Sequence, residues 1–246
     1  MSVRILTAKQ VPALYVGRAH WEHKFRNEGL WPRFFELSRH SDRYSELMDE
    51  RYPQFQFVAV DDADRVIGVA HSVPVSAPIA MESLPMAGWD WAVQNSLTNS
   101  NHNMLCGLSV TVRAAYQGRG LGSLFVRQLI SASASQGFTR LIVPARPVLK
   151  QNRPLCPMHL YLSWKRSDGL HHDPWIRTHQ RLGGKIVGVC DCSMTMTGRL
   201  EEWRKVTGEA LDTTGKHIVA GCLVPIEVDV EVDFARYIEP NVWIAY

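Results

Sequence analysis

The sequence predicts an α+β fold, a mixed central sheet with helices on both faces and long inserted loops, and three features carry that expectation. Residues 55–60 and 65–70 are β-branched and aromatic runs on either side of Asp61-Asp62-Ala63-Asp64, the pattern of an antiparallel hairpin. Residues 104–112, a helical stripe (Leu121, Leu124, Phe125, Leu129, Ile130, Ala132) and residues 140–145 make a strand–helix–strand unit, right-handed by the chirality of such crossovers. The run Arg140-Leu141-Ile142-Val143-Pro144-Ala145 is apolar on both sides, as a parallel strand covered on both faces must be.

The remaining elements follow in order. Val11, Leu14 and Tyr15 begin one helical stripe, and Phe34, Phe35, Leu37, Tyr44, Leu47 and Met48 supply a second, closed by Pro53. Pro74, Pro78, Pro85 and the asparagine-rich run 95–103 predict a loop holding one short helix. Residues 113–118 turn the chain into the central helix, and Gly137 stops it. Residues 147–172 read as irregular. Asp173-Pro174-Trp175 then opens a helix, because aspartate can accept its free N–H groups and proline fits the first turn. That helix ends at Leu182-Gly183-Gly184. Residues 185–196 read as a strand, 200–206 as a short helix and 217–233 as a long strand broken by Pro225. The tail 237–246 is apolar enough to pack against the body.

Composition narrows the function. Among 246 residues, 27 are Lys or Arg and 24 are Asp or Glu, a formal charge of +3 that is too small for a dedicated nucleic-acid binder. Eight Trp, eight Phe and seven Tyr supply ample apolar bulk, which excludes a disordered chain. No apolar run approaches the ~20 residues of a membrane span, and residues 1–10 lack a secretory signal. Five cysteines, an odd number in a long chain, point to a reducing compartment. A soluble cytoplasmic protein is expected.

The chemistry concentrates in Gln117-Gly118-Arg119-Gly120-Leu121-Gly122-Ser123, between a strand and a helix. Three glycines in five residues let backbone N–H groups converge without Cβ obstruction, and the helix brings its positive end to the same place. A diphosphate suits such a site. The spacing fits neither G-x-G-x-x-G nor the Gly-Lys-Ser/Thr of a phosphate-binding P-loop. It fits Q/R-x-x-G-x-G/A, as Gln117-x-x-Gly120-x-Gly122.

With that motif in its strand–helix–strand setting, and with Trp175-Ile-Arg-Thr-His-Gln-Arg-Leu-Gly183 downstream, the chain resembles the GCN5-related N-acetyltransferase (GNAT) superfamily over roughly residues 1–232. The resemblance implies an α/β/α sandwich in a single domain over 1–246, with insertions near 81–103, 148–172 and 199–216. It implies acetyl-CoA, or another acyl-CoA, as co-substrate and no metal. Backbone groups of Leu108, Val110 and Val112 would meet the pantetheine arm, and those of Gln117, Gly118, Arg119, Gly120, Leu121, Gly122 and Ser123 the diphosphate. A small-molecule amine would attack the thioester directly. Nucleic acid and membrane are not expected partners, and a homodimer is compatible with the pattern. A silent acyl-CoA sensor or an O-acyltransferase are the alternative readings.

In the family a tyrosine of the later helix often protonates the leaving thiolate; here His179 holds that position, and imidazole can donate a proton near neutral pH. The resemblance supplies no base, because the strand 104–112 lacks the glutamate that some relatives carry. Cys106 and Ser109 are its reactive side chains, and water relayed to Asp90, Asp168 or Asp173 would serve instead. His171-His172-Asp173 lacks metal-ligand spacing, and Cys190-x-Cys192 reads as packing. The inserted segments contribute Trp89, Trp91, Tyr161 and Trp164, aromatic walls for an acceptor.

Overall fold

The computed structural model describes residues 2–16, 25, 28–40, 43–44 and 47–246. Their strands are β1 (Arg4–Thr7), β2 (Gln56–Val60), β3 (Val66–Val75), β4 (Met104–Val112), β5 (Leu141–Ala145), β6 (Lys185–Gly198), β7 (Gly215–His217), β8 (Ile226–Asp229) and β9 (Phe234–Ala245). Their α-helices are α1 (Pro12–Val16), α2 (Gly88–Thr98), α3 (Leu121–Ser135), α4 (Met158–Leu162), α5 (Pro174–Arg181) and α6 (Leu200–Thr207). All nine strands join one sheet in the order β1-β2-β3-β4-β5-β9-β8-β7, with β6 on the other edge of β9. Only β4 and β5 pair in parallel, so the sheet is mixed as expected.

Alternation along β4 sorts the layers. Leu105 packs with Leu121, Phe125 and Leu129 of α3 and Ile176 of α5. Met104 and Cys106 point the other way, to Trp89, Ala92 and Val93 of α2. Helices therefore cover both faces. A separate cluster around Phe34, Trp203 and Tyr237 joins α6 to the far half of β9, and Val58 and Val69 pack with Ala8 and Phe25 at the β1 edge. No helix among the described residues is long and apolar enough to cross a membrane.

The hairpin, β4, α3, β5, α5, β6 and α6 lie where the sequence puts them. Other elements differ. The second expected helix is a short 3-10 turn, Arg33–Leu37, and a π-type turn, Leu47–Arg51; the side chains of Tyr15 and Met48 lie outside those described. Its apolar residues serve two clusters, Phe34 with α6 and Leu47 with α2, so no continuous helix carries them. The loop 74–103 holds the three-turn helix α2, and the irregular stretch 147–172 holds α4. The long strand expected over 217–233 is instead two short ones, β7 and β8, on either side of Pro225. The tail does more than pack down. It is β9, paired with β6 along one edge and with β5 and β8 along the other.

Asp173 fastens the segment 148–172 to the body. One carboxylate oxygen accepts from the Trp175 and Ile176 N–H groups at 2.9 and 3.2 Å. The other accepts from the Leu149 N–H and the Tyr161 hydroxyl, both at 2.8 Å. Asp173→Ala removes the helix cap and strands two further donors, so unfolding stability should fall by about 3 kcal/mol, read from urea denaturation.

Candidate functional site

The parallel ladder between β4 and β5 has two rungs, Leu105 with Leu141 and Cys106 with Ile142. Beyond them β4 stays with β3 and β5 stays with β9, so the sheet opens into a wedge. On the β3 side, His71 faces Ser109 and Ser72 faces Gly107, leaving Leu108 as the extra residue of a β-bulge. The bulge sets Leu108 and Ser109 on the same side: Leu108 packs in the α2 cluster, and the Ser109 hydroxyl lies 3.0 Å from that of Tyr44. Val110 and Val112 return to the α3 side. The backbone of residues 107–112 thus has no strand partner toward β5. Of that stretch's carbonyls, Val112 accepts from the Gln117 side-chain amide at 2.9 Å.

The glycine turn sits above this wedge. Gly118 and Gly120 have φ of +73° and +81°, conformations that suit glycine, and a Cβ at either would stand in open space. Gly120 caps α3 without any side-chain hydrogen bond. The N–H of Gln117 is used by Ala114 and that of Leu124 by Gly120, but those of Gly118, Arg119, Gly120, Leu121, Gly122 and Ser123 have no acceptor among the described residues. Six consecutive donors at a helix's positive end make a fitting cradle for an anion such as a diphosphate. The guanidinium of Arg119 lies 5.5 Å from the ring centroid of Tyr116. Gly122 admits Trp175, whose ring a Cβ there would meet at 3.1 Å, so the start of α5 closes over the start of α3.

His179 lies one turn further along α5 and is only 1% exposed. Burial lowers its pKa to about 4, so the ring is neutral at pH 7. Its Nδ1 is 2.6 Å from the Tyr246 hydroxyl, and Nε2 is buried without a partner among the described residues.

The three aspartates separate cleanly. Asp173 is spent as described, and the exposed Asp168 accepts from the Leu170 N–H and pairs with Arg166. Asp90, on α2, is 1% exposed, and burial raises its carboxyl to about 6 against the opposing pull of Arg39. Oδ2 takes Arg39 and the Thr195 N–H, while Oδ1 has no partner among the described residues. Glu239, which sequence reasoning passed over, is fully buried but saturated by Arg146, Tyr237 and Asn241. Burial first, and then Cys190, push the Cys106 thiol well above its usual range, which leaves no thiolate for nucleophilic chemistry. His171 spends Nδ1 on the Asp173 N–H and sets Nε2 against the Tyr161 carbonyl.

The four aromatic candidates do not share one site. Trp89 is buried 5.0 Å from Tyr44, and Trp91 meets Trp243 edge-on at 6.0 Å, both on the α2 face. Tyr161 and Trp164 belong to the α3 face, where they help line a pocket of about 200 Å³ with Arg153 and His172.

Neutral burial of His179 has a thermodynamic signature. Its folded pKa lies below the unfolded value of 6.5, so the unfolded chain takes up the proton first, and stability is lost as pH falls from about 6.5 to about 4. That share is about 3 kcal/mol. Chemical denaturation across this range should therefore give a flatter profile for His179→Phe than for the wild type.

A model of the acetyltransferase (GNAT) family matches residues 23–162. The arginine N-acetyltransferase avaD of Aspergillus versicolor is 30% identical over 271 residues, spanning 98% of this chain and 92% of the relative. Among solved structures, the loading GNATL domain of CurA from Lyngbya majuscula superposes with a TM-score of 0.59 at 16% identity, covering 100% of this chain and 96% of that one. The GphF GNAT-like decarboxylase in complex with isobutyryl-CoA gives 0.57 at 15% identity, covering 100% and 98%. The two structures share the fold. With the family model over more than half of its length and a near-complete relative beside it, the chain belongs to the acetyltransferase (GNAT) family of acyl-CoA-dependent N-acyltransferases.

Proposed function

We propose that the protein moves the acetyl group of acetyl-CoA to the amine of a small molecule, with arginine or a close analogue as the acceptor. The observation that carries the cofactor half is the row of six unclaimed N–H groups at the head of α3, beside strands that part after two rungs. The acceptor half rests on the arginine N-acetyltransferase of Aspergillus versicolor, similar along nearly its whole length.

Bound acetyl-CoA supplies an activated thioester carbonyl; the rest is work for this chain's residues. Main-chain groups of Leu108, Val110 and Val112 extend β4 toward the pantetheine arm, and residues 117–123 hold the diphosphate by N–H donation. The bulge at Leu108 takes its backbone out of the β3 ladder, which suits it to the carbonyl oxygen. His179 offers a neutral N–H to the sulfur as charge gathers there, the way an electrically neutral imidazole acts when burial keeps it unprotonated. Asp90 is the aspartate with an oxygen to spare, and a carboxyl near 6 is matched to accepting an amine's proton near neutral pH. It stands on the α2 face, across the sheet from the glycine turn. A dedicated base matters less with an easily expelled thiolate, so positioning supplies much of the rate. A cytoplasmic location and self-association belong to the same proposal, the first on the free cysteines.

Gly120→Glu places a charge and a Cβ where phosphate must approach, and calorimetry with CoA should show affinity reduced by about a hundredfold or more. Unchanged affinity would remove the cradle. His179→Phe should cost about a hundredfold in kcat while the KM for acetyl-CoA stays within about twofold. Asp90→Asn should reduce the slope of log kcat/KM against pH by one below pH 6, since the ionising carboxyl is then gone. Binding of acetyl-CoA without thiol release across arginine and a broad amine panel would favour a sensor over an enzyme.

A further inference from the structure

His179 is gripped by a residue that its own helix does not supply. The Tyr246 hydroxyl reaches its Nδ1 at 2.6 Å across 67 positions of sequence. The Tyr246 main chain is fixed just beyond β9, its N–H donating to the Leu141 carbonyl at 2.9 Å, on the rung where β4 and β5 still pair. Gly184 makes room for the contact: a Cβ there would stand 2.9 Å from the tyrosine ring and 3.0 Å from the His179 carbonyl. On its other side the imidazole meets Trp175 edge-on at 4.6 Å. These neighbours carry no charge, and the ring's remaining nitrogen, Nε2, is buried and unclaimed.

The proton in the short bond has two places to sit, and they differ in cost. With the proton on Nδ1, the tyrosine hydroxyl has no protein acceptor among the described residues and Nε2 presents a bare lone pair: two polar groups go unmet. With the hydroxyl donating to Nδ1, only the Nε2–H is unmet. Burial also raises the Tyr246 hydroxyl above its usual range, which keeps it a donor.

We infer that Tyr246 is a positioning residue that donates to Nδ1, fixes His179 as its Nε2–H tautomer and thereby presents that N–H to the thioester sulfur. The inference rests on the proposed role of His179. The step needs no further reactant. The amine nitrogen forms the bond to the acyl carbon as the carbon–sulfur bond breaks, and the electron pair stays on sulfur. The proton the amine gives up balances the one the thiol gains. His179 shares its N–H with the sulfur during bond breaking, and Tyr246 keeps its own proton. The opposite tautomer would aim a lone pair at a developing thiolate and repel it.

Nitrogen-15 NMR of the histidine side chains in the full chain reads the tautomer directly, and kinetics of Tyr246→Phe, His179→Phe and the double variant read its use. The wild type should carry its His179 proton on Nε2, and Tyr246→Phe should shift the population toward Nδ1. That variant should lose about tenfold or more in kcat, with the KM for acetyl-CoA within about twofold. The double variant should be no slower than His179→Phe alone, because Tyr246 acts through the imidazole. A wild-type proton on Nδ1, full kcat in Tyr246→Phe, or an equal loss from Tyr246→Phe in the His179→Phe background would each overturn the inference. Full activity in His179→Phe would instead fell the donor role itself, whatever tautomer the spectrum shows.

Discussion

The parallel ladder between β4 and β5 stops after Cys106, and the backbone of residues 107–112 is left with partners on one side only. Buried backbone polar groups are almost always satisfied, so an opened sheet needs something that completes it. The proposed ligand arm along β4 would do so as an added strand does, with the glycine turn above to take its charged end. The face with α3 and α5 carries the anion cradle and His179. The face with α2 carries Asp90, Tyr44 and the bulged Leu108.

Local chemistry in the sequence translates well into structure. The α3 stripe, the three glycines before it and the Asp173-Pro174 start need only their own neighbours to be recognised, and each lies where expected. β9 is different. Its run Tyr-Ile-Glu-Pro-Asn-Val-Trp-Ile-Ala does not alternate, because the strand is covered on both faces, and the charge of Glu239 is matched inside by Arg146, which reaches it at 3.0 Å from 93 positions away. No periodicity reveals that partner. The bounds of α2 are hidden for a related reason: it opens on Gly88, and its buried face includes Asp90 and Ser96 beside Trp89 and Val93. β1 is four residues long, too short to show a period.

The site divides in the same way. The glycine turn proposed to take the anion is a continuous heptapeptide, so its residues can be picked out from sequence alone. The bulge at Leu108 depends on register against β3, and the Tyr246 contact depends on where β9 ends, so neither leaves a mark in the residues nearby. The four aromatic candidates Trp89, Trp91, Tyr161 and Trp164 read as walls for an acceptor. They are two, on opposite faces, since a reading of insertions cannot say on which side of a sheet each one lands.

The central place of β9 also governs how the molecule comes into being. Residues 234–245 are wedged between β5 and β6, with β8 alongside, and Trp243 and Ile244 finish the hydrophobic layers on both sides. A nascent chain emerging from the ribosome can make the early hairpin and the strand–helix–strand unit, but the margin of β5 stays raw until residues 242–245 have arrived. Until then an apolar edge is on offer to any passing strand, and the unfinished polypeptide is a natural client for a chaperone.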